Sequence, residues 1–210
     1  MIDADPDPVV VTRSSYGVLA DAYAATTAVT RPELAAWRDA WAATLPGRGR
    51  VLDAGCGPGQ HAAAFAAAGL RAVALDLTPA MAALARARVP AVVGDLRRLA
   101  FADGAFAGVW SSASLLHVPR DDAGTALREL RRVTADGGAL ALITATGGTD
   151  GWESPQYDTG PARPPPRFFV YHDEASLRTL LTDAGWAVRS VRFEPGELRD
   201  WLWVTADAAG

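Results

Sequence analysis

The residues best suited to chemistry lie in one short segment, Val51-Leu52-Asp53-Ala54-Gly55-Cys56-Gly57-Pro58-Gly59-Gln60. Its alternating glycines allow tight turns and the close approach of a ligand, although a purely structural turn is the alternative. Asp53 stands two residues before Gly55, where a carboxylate repels pyrophosphate and suits an ammonium or sulfonium group. The spacing Gly-x-Gly-x-Gly also differs from the Gly-x-Gly-x-x-Gly of dinucleotide binders. The segment therefore favours a cationic ligand over a phosphate.

Two further acids follow at the ends of the next predicted strands. Asp76 closes the second strand, where a doubly wound fold places a carboxylate on a ribose diol. Asp95 follows Gly94 at the end of the third strand, where it can accept a hydrogen bond from an adenine amino group. Either acid alone is typical of a solvated turn. Three acids on successive strand ends beside a glycine loop indicate a nucleoside site.

The elements that must position these residues alternate along the chain. Predicted strands cover 51–54, 71–76, 90–95, 106–111, 139–144, 186–193 and 198–205. Helical patterns lie before and between most of them, so the chain is predicted to be α/β, with a parallel sheet covered on both faces. Residues 1–15 are expected to be a flexible N-terminal lead-in, and 16–210 a single domain. The Gly- and Pro-rich stretch 145–172 is expected to be a substrate-side loop.

Composition limits the classes of protein. Half of the 210 residues are apolar and 21% are charged, which excludes a disordered or fibrous chain. The net charge of −4 disfavours nucleic acid as the main partner. There is no Lys and no Asn, so a Lys Schiff base is excluded, and the single Cys56 excludes an internal disulfide or a Cys-rich zinc site. An acidic, Pro-broken start and the lack of a long apolar run predict a cytoplasmic protein without a membrane span or signal peptide.

The chain resembles the class I S-adenosylmethionine-dependent methyltransferases, in the small stand-alone branch. The resemblance runs from about Tyr16 to Thr205. It is carried by Val-Leu-Asp-Ala-Gly-Cys-Gly-Pro-Gly, by Ala-Leu-Asp-Leu-Thr-Pro-Ala-Met, by Val-Val-Gly-Asp-Leu and by the turn Asp136-Gly137-Gly138. It implies a doubly wound, seven-stranded Rossmann-like sheet of order 3-2-1-4-5-7-6 with strand 7 antiparallel. It also implies S-adenosyl-L-methionine as cofactor, S-adenosyl-L-homocysteine as product, and no metal.

The resemblance also implies the cofactor-binding residues. Asp53 would face the amino group of the cofactor, the glycine loop its methionine part and Asp76 its ribose. Leu77 and Met81 would sandwich the adenine, and Asp95 with Leu96 would read its edge. Trp110 and Ser111 would lie under the sulfonium, and Tyr16 and Tyr23 would belong to a lid. The predicted cofactor-binding residues are Tyr16, Tyr23, Asp53, Gly55, Cys56, Gly57, Gly59, Asp76, Leu77, Met81, Asp95, Leu96, Trp110 and Ser111.

The catalytic and substrate residues are less constrained by motif. His117 follows the fourth strand near the expected position of the methyl group and is the candidate base, although a structural His at a helix start fits equally. In the loop 145–172, Trp152, Tyr157 and Tyr171 offer flat apolar surface, and Arg167 can pair with an anion. Three His without clustered acids predict no metal site.

The predicted activity is transfer of a methyl group to an O, N or C acceptor on a small molecule, a metabolite or natural product, by a monomer or homodimer. The absence of an Asn-Pro-Pro-Tyr or Asp-Pro-Pro-Tyr run disfavours amino-adenine methylation of DNA. A tRNA methyltransferase is the alternative within the class. An NAD-type oxidoreductase and a cofactor-binding domain without catalysis are the alternatives outside it.

Overall fold

The computed structural model describes residues 7–46, 49–157, 159 and 163–209. The helices of this part of the chain are α1 Pro8–Thr26, α2 Pro32–Ala42, α3 Gln60–Ala67, α4 Pro79–Arg86, α5 Arg120–Val133 and α6 Glu174–Asp183. The strands are β1 Arg50–Ala54, β2 Arg71–Asp76, β3 Ala91–Val93, β4 Phe106–Ser112, β5 Thr134–Thr146, β6 Gly151–Glu153, β7 Arg167–Phe169, β8 Trp186–Glu194 and β9 Asp200–Ala208. A short 3-10 turn, Leu115–His117, follows β4.

The main sheet has the order β3-β2-β1-β4-β5-β9-β8. Strands β1 to β5 run parallel, and β9 pairs antiparallel with both β5 and β8. Since β6 and β7 form a separate two-stranded sheet, β8 and β9 are the sixth and seventh strands of the main one. The predicted α/β class and the order 3-2-1-4-5-7-6 with an antiparallel seventh strand are confirmed.

Hydrophobic cores lie on both faces of the sheet. On one face α5 and α6 bury Leu127, Leu130 and Leu181 against the strands. On the other face α2 and α3 bury Trp41 and Phe65. A parallel sheet needs both faces covered, and its edge at the carboxyl ends of the strands remains open for a ligand.

The expectation of a flexible lead-in over residues 1–15 is wrong for residues 8–15, which form the first half of α1; residues 1–6 lie outside the described residues. The Asp7 side chain accepts a hydrogen bond from the Val9 N–H at the helix start, and Pro8 occupies the first turn. The β-branched run Val9-Val10-Val11 disfavours a helix locally. Tertiary packing overrides that preference, since Val9, Thr12 and Leu19 are buried.

In the described part of the stretch 145–172, β6 and β7 form a two-stranded antiparallel sheet. In this pair Gly151 faces Phe169, and Glu153 faces Arg167. The Phe168 N–H donates to the Thr12 hydroxyl oxygen at 3.0 Å, which ties β7 to α1. The first helix and this segment therefore support each other above the open sheet edge.

Candidate active site

A cavity of about 740 Å³, measured with its open mouth, lies at the carboxyl ends of β1, β2, β3 and β4. Its position at the carboxyl ends of parallel strands is the usual place for a ligand in an open α/β sheet. Ten of the residues predicted from the sequence line it: Tyr16, Tyr23, Gly55, Gly57, Asp76, Leu77, Met81, Asp95, Leu96 and His117. The topology thus brings together residues from α1, from three strand ends, from α4 and from the turn after β4.

The glycine loop is held against the neighbouring strand by its backbone. The N–H groups of Gly55 and Cys56 both donate to the Leu75 carbonyl oxygen, at 2.8 and 2.9 Å. Gly55 has φ of +81°, and a Cβ built there would lie 2.2 Å from the Ser114 Cβ. Only glycine fits this position, because both the backbone conformation and the space exclude a side chain.

Asp76 connects the loop to the cavity. One carboxylate oxygen accepts from the Gly57 N–H and the other from the Thr78 N–H, each at 2.8 Å. Burial raises the pKa of Asp76 to about 6 although both hydrogen bonds favour its charged form. The Thr78 side chain also hydrogen-bonds to this carboxylate. One of its four lone-pair sites then remains to accept from a ligand hydroxyl.

Asp53 does not line the cavity. It is 1% exposed, and its carboxylate accepts from the Ala62 N–H in the first turn of α3 at 2.9 Å. Burial raises its pKa to about 7. The structure therefore shows Asp53 in contact with the helix start and not with the cavity, because the strand directs its side chain beneath the loop.

Asp95 lines the cavity as part of an ion-pair chain that the sequence analysis missed. Arg97 donates from Nε and Nη2 to the Asp95 carboxylate and from Nη1 to Asp122, the last at 2.8 Å. Burial opposes ionisation of Asp95, but the hydrogen bonds and charge of Arg97 prevail and lower its pKa. The carboxylate is thus fixed in its charged form at the cavity wall.

Four other predicted cofactor residues lie outside the cavity wall: Cys56, Gly59, Trp110 and Ser111. The expectation for Trp110 is wrong, since its ring is fully buried and packs against Trp37, Trp41 and Phe65. Neighbouring residues of a strand face opposite sides of the sheet, and Trp110 faces the side covered by α2 and α3. Ser111 is buried and bonds to the Ser114 hydroxyl at 2.7 Å.

His117 is held at both ring nitrogens. Nδ1 lies 2.7 Å from the Phe168 carbonyl oxygen, and Nε2 lies 2.9 Å from the Tyr16 hydroxyl. A carbonyl only accepts, so Nδ1 carries the proton and Nε2 accepts from Tyr16. Burial lowers the pKa of His117 to about 3, and the charges of Arg167 and Arg199 act in the same direction. His117 is therefore neutral at physiological pH.

The Arg167 guanidinium contacts both the hydroxyl and the ring of Tyr16. Its Nη1 donates to the Tyr16 hydroxyl oxygen at 3.1 Å, and its guanidinium lies 5.2–5.4 Å from the ring centres of Tyr16, Tyr157 and Phe169. It is 7% exposed, and no ion pair to a carboxylate is seen for it among the described residues. Its contacts are instead to hydroxyl groups and aromatic faces.

The predicted substrate residues do not reach the cavity wall. Trp152, Tyr157, Arg167 and Tyr171 all lie outside the lining set. Tyr157 packs against Tyr23 with ring centres 5.6 Å apart, and Tyr171 bonds to Glu153 and Arg199. Their assignment to substrate binding stays a prediction.

Several lining residues were missed by the sequence analysis: Val9, Thr12, Arg13, Arg97, Ala113 and Ser114. Val9, Thr12 and Arg13 lie in α1, and the sequence did not predict their position because that helix lacks a clear amphipathic pattern. Ala113 has φ of +55°, a strained conformation for a residue with a side chain, and it lies directly after β4. No sequence signal indicates this strain, since Ala is common in every element.

Two negative findings concern the described ranges alone. Within them, no three His, Cys, Asp or Glu side chains come together in a way that could hold a metal ion. No helix there is both long enough and apolar enough to cross a membrane.

Comparison with known proteins gives the family. Residues 52–142 match the family described as methyltransferase domain. A demethylmenaquinone methyltransferase from Mycolicibacterium paratuberculosis is 34% identical over 173 residues, which cover 72% of this chain and 74% of that protein. A malonyl-[acyl-carrier protein] O-methyltransferase from Erwinia pyrifoliae is 41% identical over 48% of this chain and 38% of its own length. The match thus spans about two fifths of that second relative.

A solved structure agrees with the fold. The Burkholderia thailandensis 1,6-didemethyltoxoflavin-N1-methyltransferase, whose crystal structure has 1,6-didemethyltoxoflavin and S-adenosylhomocysteine bound, superposes with a TM-score of 0.74 at 23% identity. The alignment covers 100% of this chain and 92% of that one. The cavity and the order of the sheet define a class I S-adenosylmethionine-dependent methyltransferase fold, and this chain belongs to that family.

The residues present fit the cofactor of this family. The cavity offers the carboxylates of Asp76 and Asp95 to hydroxyl and amino groups, and the apolar side chains of Leu77 and Met81 to a flat ring. The Gly57 N–H, a group that a phosphate bound at this loop would need, is already bonded to Asp76. These carboxylate acceptors and apolar side chains suit a nucleoside, whose hydroxyl and amino groups donate hydrogen bonds.

Proposed function

We propose that this protein transfers the methyl group of S-adenosylmethionine to an O, N or C acceptor on a small molecule. The observation that carries the proposal is a single cavity lined both by nucleoside-binding groups, Asp76 and Asp95, and by the hydrogen-bonded pair Tyr16 and His117. The names of the relatives, a malonyl-[acyl-carrier protein] O-methyltransferase and a demethylmenaquinone methyltransferase, support an acceptor other than nucleic acid.

In this proposal Asp76 holds the ribose, Asp95 with Leu96 reads the adenine edge, and Leu77 and Met81 enclose the ring. Gly55 and Gly57 lie along the methionine part. When bound, S-adenosylmethionine supplies an electrophilic methyl group on a positively charged sulfur. The protein itself positions the reacting groups. Holding the acceptor atom about 3–3.5 Å from the methyl carbon, in line with the bond that breaks, accounts for most of the acceleration that such a displacement needs.

The alternatives outside the class lack support in the site. An oxidoreductase needs backbone N–H groups for a pyrophosphate, whereas the Gly57 N–H is occupied by Asp76. A cofactor-binding domain without catalysis gives no reason for the Tyr16–His117 pair beside the cavity. A cytoplasmic location and a monomeric or dimeric state stay predictions.

Calorimetry with S-adenosylhomocysteine and with NAD, run on the same preparation, tests the cofactor. We expect micromolar binding of the first compound and none of the second. A mass-spectrometric screen for products 14 Da heavier, with labelled cofactor and a metabolite library, then tests transfer. Binding of NAD alone, or of neither compound, contradicts the proposal.

A further inference from the structure

The hydroxyl of Tyr16 is fixed by two partners from distant parts of the chain. It accepts from Arg167 Nη1 at 3.1 Å and lies 2.9 Å from His117 Nε2. Because His117 Nδ1 is committed to the Phe168 carbonyl oxygen, Nε2 has no proton and Tyr16 must donate to it. The Tyr16 hydroxyl therefore donates to His117 and accepts from Arg167.

This arrangement leaves one kind of interaction available at Tyr16. A phenolic oxygen carries one proton and two lone pairs. The proton goes to His117 and one lone pair to Arg167, so the remaining lone pair can only accept a hydrogen bond. Tyr16 and His117 both line the cavity. A molecule that pairs with the Tyr16 oxygen must then be a hydrogen-bond donor.

The positive charge of Arg167 limits which hydrogen-bond donors can approach the Tyr16 oxygen. Arg167 is buried beside Tyr16, and His117 is neutral, so the Tyr16 oxygen lies next to a fixed positive charge. An aliphatic amine is an ammonium ion at neutral pH and would be repelled there. A carbon atom offers no strong hydrogen-bond donor of its own. An uncharged ring N–H or aromatic amine can donate to Tyr16, but its nitrogen lone pair is delocalised into the ring. A neutral hydroxyl group satisfies the site best, because its proton bonds to Tyr16 while its own lone pair stays free for a methyl group.

We propose that Tyr16 is the catalytic residue that contacts the acceptor, that the acceptor is a hydroxyl oxygen, and that His117 acts through Tyr16 as a positioning residue and final proton acceptor. The inference rests on the proposed methyl transfer. The acceptor oxygen forms a bond to the methyl carbon, whose bond to sulfur breaks with its electron pair left on sulfur. The acceptor's proton passes to Tyr16 Oη, and the Tyr16 proton passes to His117 Nε2.

The charges balance in this step. The positive charge lost at sulfur reappears on the His117 imidazolium, whose Nδ1–H continues to donate to the Phe168 carbonyl oxygen. A weakly basic imidazole suffices, since the proton of a newly methylated hydroxyl is strongly acidic. Arg167 stabilises negative charge on the Tyr16 oxygen while its proton leaves.

The first test compares Tyr16→Phe with Ser14→Ala, which also removes one hydroxyl from α1 but at an exposed position. Labelled S-adenosylmethionine is offered with catechol, 4-nitrophenol, 2-phenylethylamine and indole. We expect O-methylated products, a loss of about 100-fold or more in Tyr16→Phe, and no loss in Ser14→Ala. Affinity for S-adenosylhomocysteine should stay within about threefold in both variants. Transfer to nitrogen or carbon alone, or full activity of Tyr16→Phe, overturns the inference.

The second test needs no acceptor. Nitrogen-15 NMR of the histidine rings, with wild-type protein loaded with S-adenosylhomocysteine, reports which nitrogen of His117 is protonated; the variant His117→Gln assigns its signals. We expect a protonated Nδ1 and a bare Nε2 whose shift changes in Tyr16→Phe. A protonated Nε2 refutes the inference even if no probe is methylated, whereas loss of cofactor binding refutes the proposed function instead.

Discussion

Gly55 and Ser114 come from strand ends 59 positions apart, yet a Cβ on Gly55 would lie 2.2 Å from the Ser114 Cβ. The Ser114 hydroxyl donates to the Ala54 carbonyl oxygen at 2.9 Å and also contacts the Ser111 hydroxyl. Ser114 thus fixes the turn after β4 against the glycine loop. The shape of the cavity depends on this contact, because Gly55 and Ser114 both line it.

Gly55→Ala is expected to destabilise the protein by about 3 kcal/mol or more and to abolish binding of S-adenosylhomocysteine, because it adds both a clash and an unfavourable backbone conformation. Urea unfolding and calorimetry measure the two effects. Gly17→Ala is the matched control: Gly17 lies in α1 with open space around it, so the change should stabilise by about 0.5–1 kcal/mol. Equal stability of the two variants would contradict this account of the loop.

Asp76 should make cofactor affinity depend on pH. Its raised pKa of about 6 means that the carboxyl gains a proton as the pH falls from 8 to 5 and then has fewer lone pairs for the Gly57 and Thr78 N–H groups and for a ribose. We expect S-adenosylhomocysteine to bind about tenfold more weakly at pH 5 than at pH 8. In Asp76→Asn affinity should be low, and its pH dependence should shrink to the contribution of Asp53. The buried carboxyl of Asp53, with a pKa of about 7, adds to the trend in both proteins, so the comparison isolates Asp76.

Arg97→Ala is expected to weaken S-adenosylhomocysteine binding by about three- to tenfold, since Asp95 then loses the partner that fixes its carboxylate at the cavity wall. The neighbouring Arg98→Ala removes an exposed guanidinium with the same net charge change and should leave affinity unchanged. Calorimetry at low and high salt separates the two cases. A similar loss in both variants would indicate a general effect of charge and not the Asp95 contact.

His172 is expected to limit stability in acid. It is fully buried, and within the described part of the chain neither ring nitrogen has a hydrogen-bond partner. Burial lowers its pKa to about 4, and the charge of Arg120 acts in the same direction while Asp150 and Asp173 oppose it. Because the folded pKa lies below the unfolded value of about 6.5, the stability present above pH 6.5 is lost as the pH falls through 4.

The variant His172→Leu removes this titration and the unpaired nitrogens. We expect it to be more stable than wild type by about 1–2 kcal/mol at pH 7.5, with an advantage that grows toward pH 4.5. Urea midpoints at the two pH values provide the measurement. An advantage that shrinks in acid would mean that the native ring is already charged.

The sequence was most informative where one local pattern dictates both backbone and chemistry. The glycines between β1 and α3 and the acid that ends β2 were placed at one sheet edge from periodicity and topology alone, and the strand order followed from the family resemblance. Trp110 and Asp53 show what the sequence pattern did not predict, namely the direction of a side chain. Each occupies the predicted strand, but the direction of its side chain depends on the helices packed on that face, which no local spacing reports.

The sequence by itself determined that the chain forms a doubly wound sheet with acids and glycines at its ligand edge, because strand period, helix period and turn residues are local properties. Only the tertiary structure decided how α1 closes that edge, that Asp95 is bound by Arg97, and that Tyr16, His117 and Arg167 meet. These contacts join residues up to 151 positions apart. Their energies come from burial and from hydrogen-bond geometry, which exist only once the chain has folded.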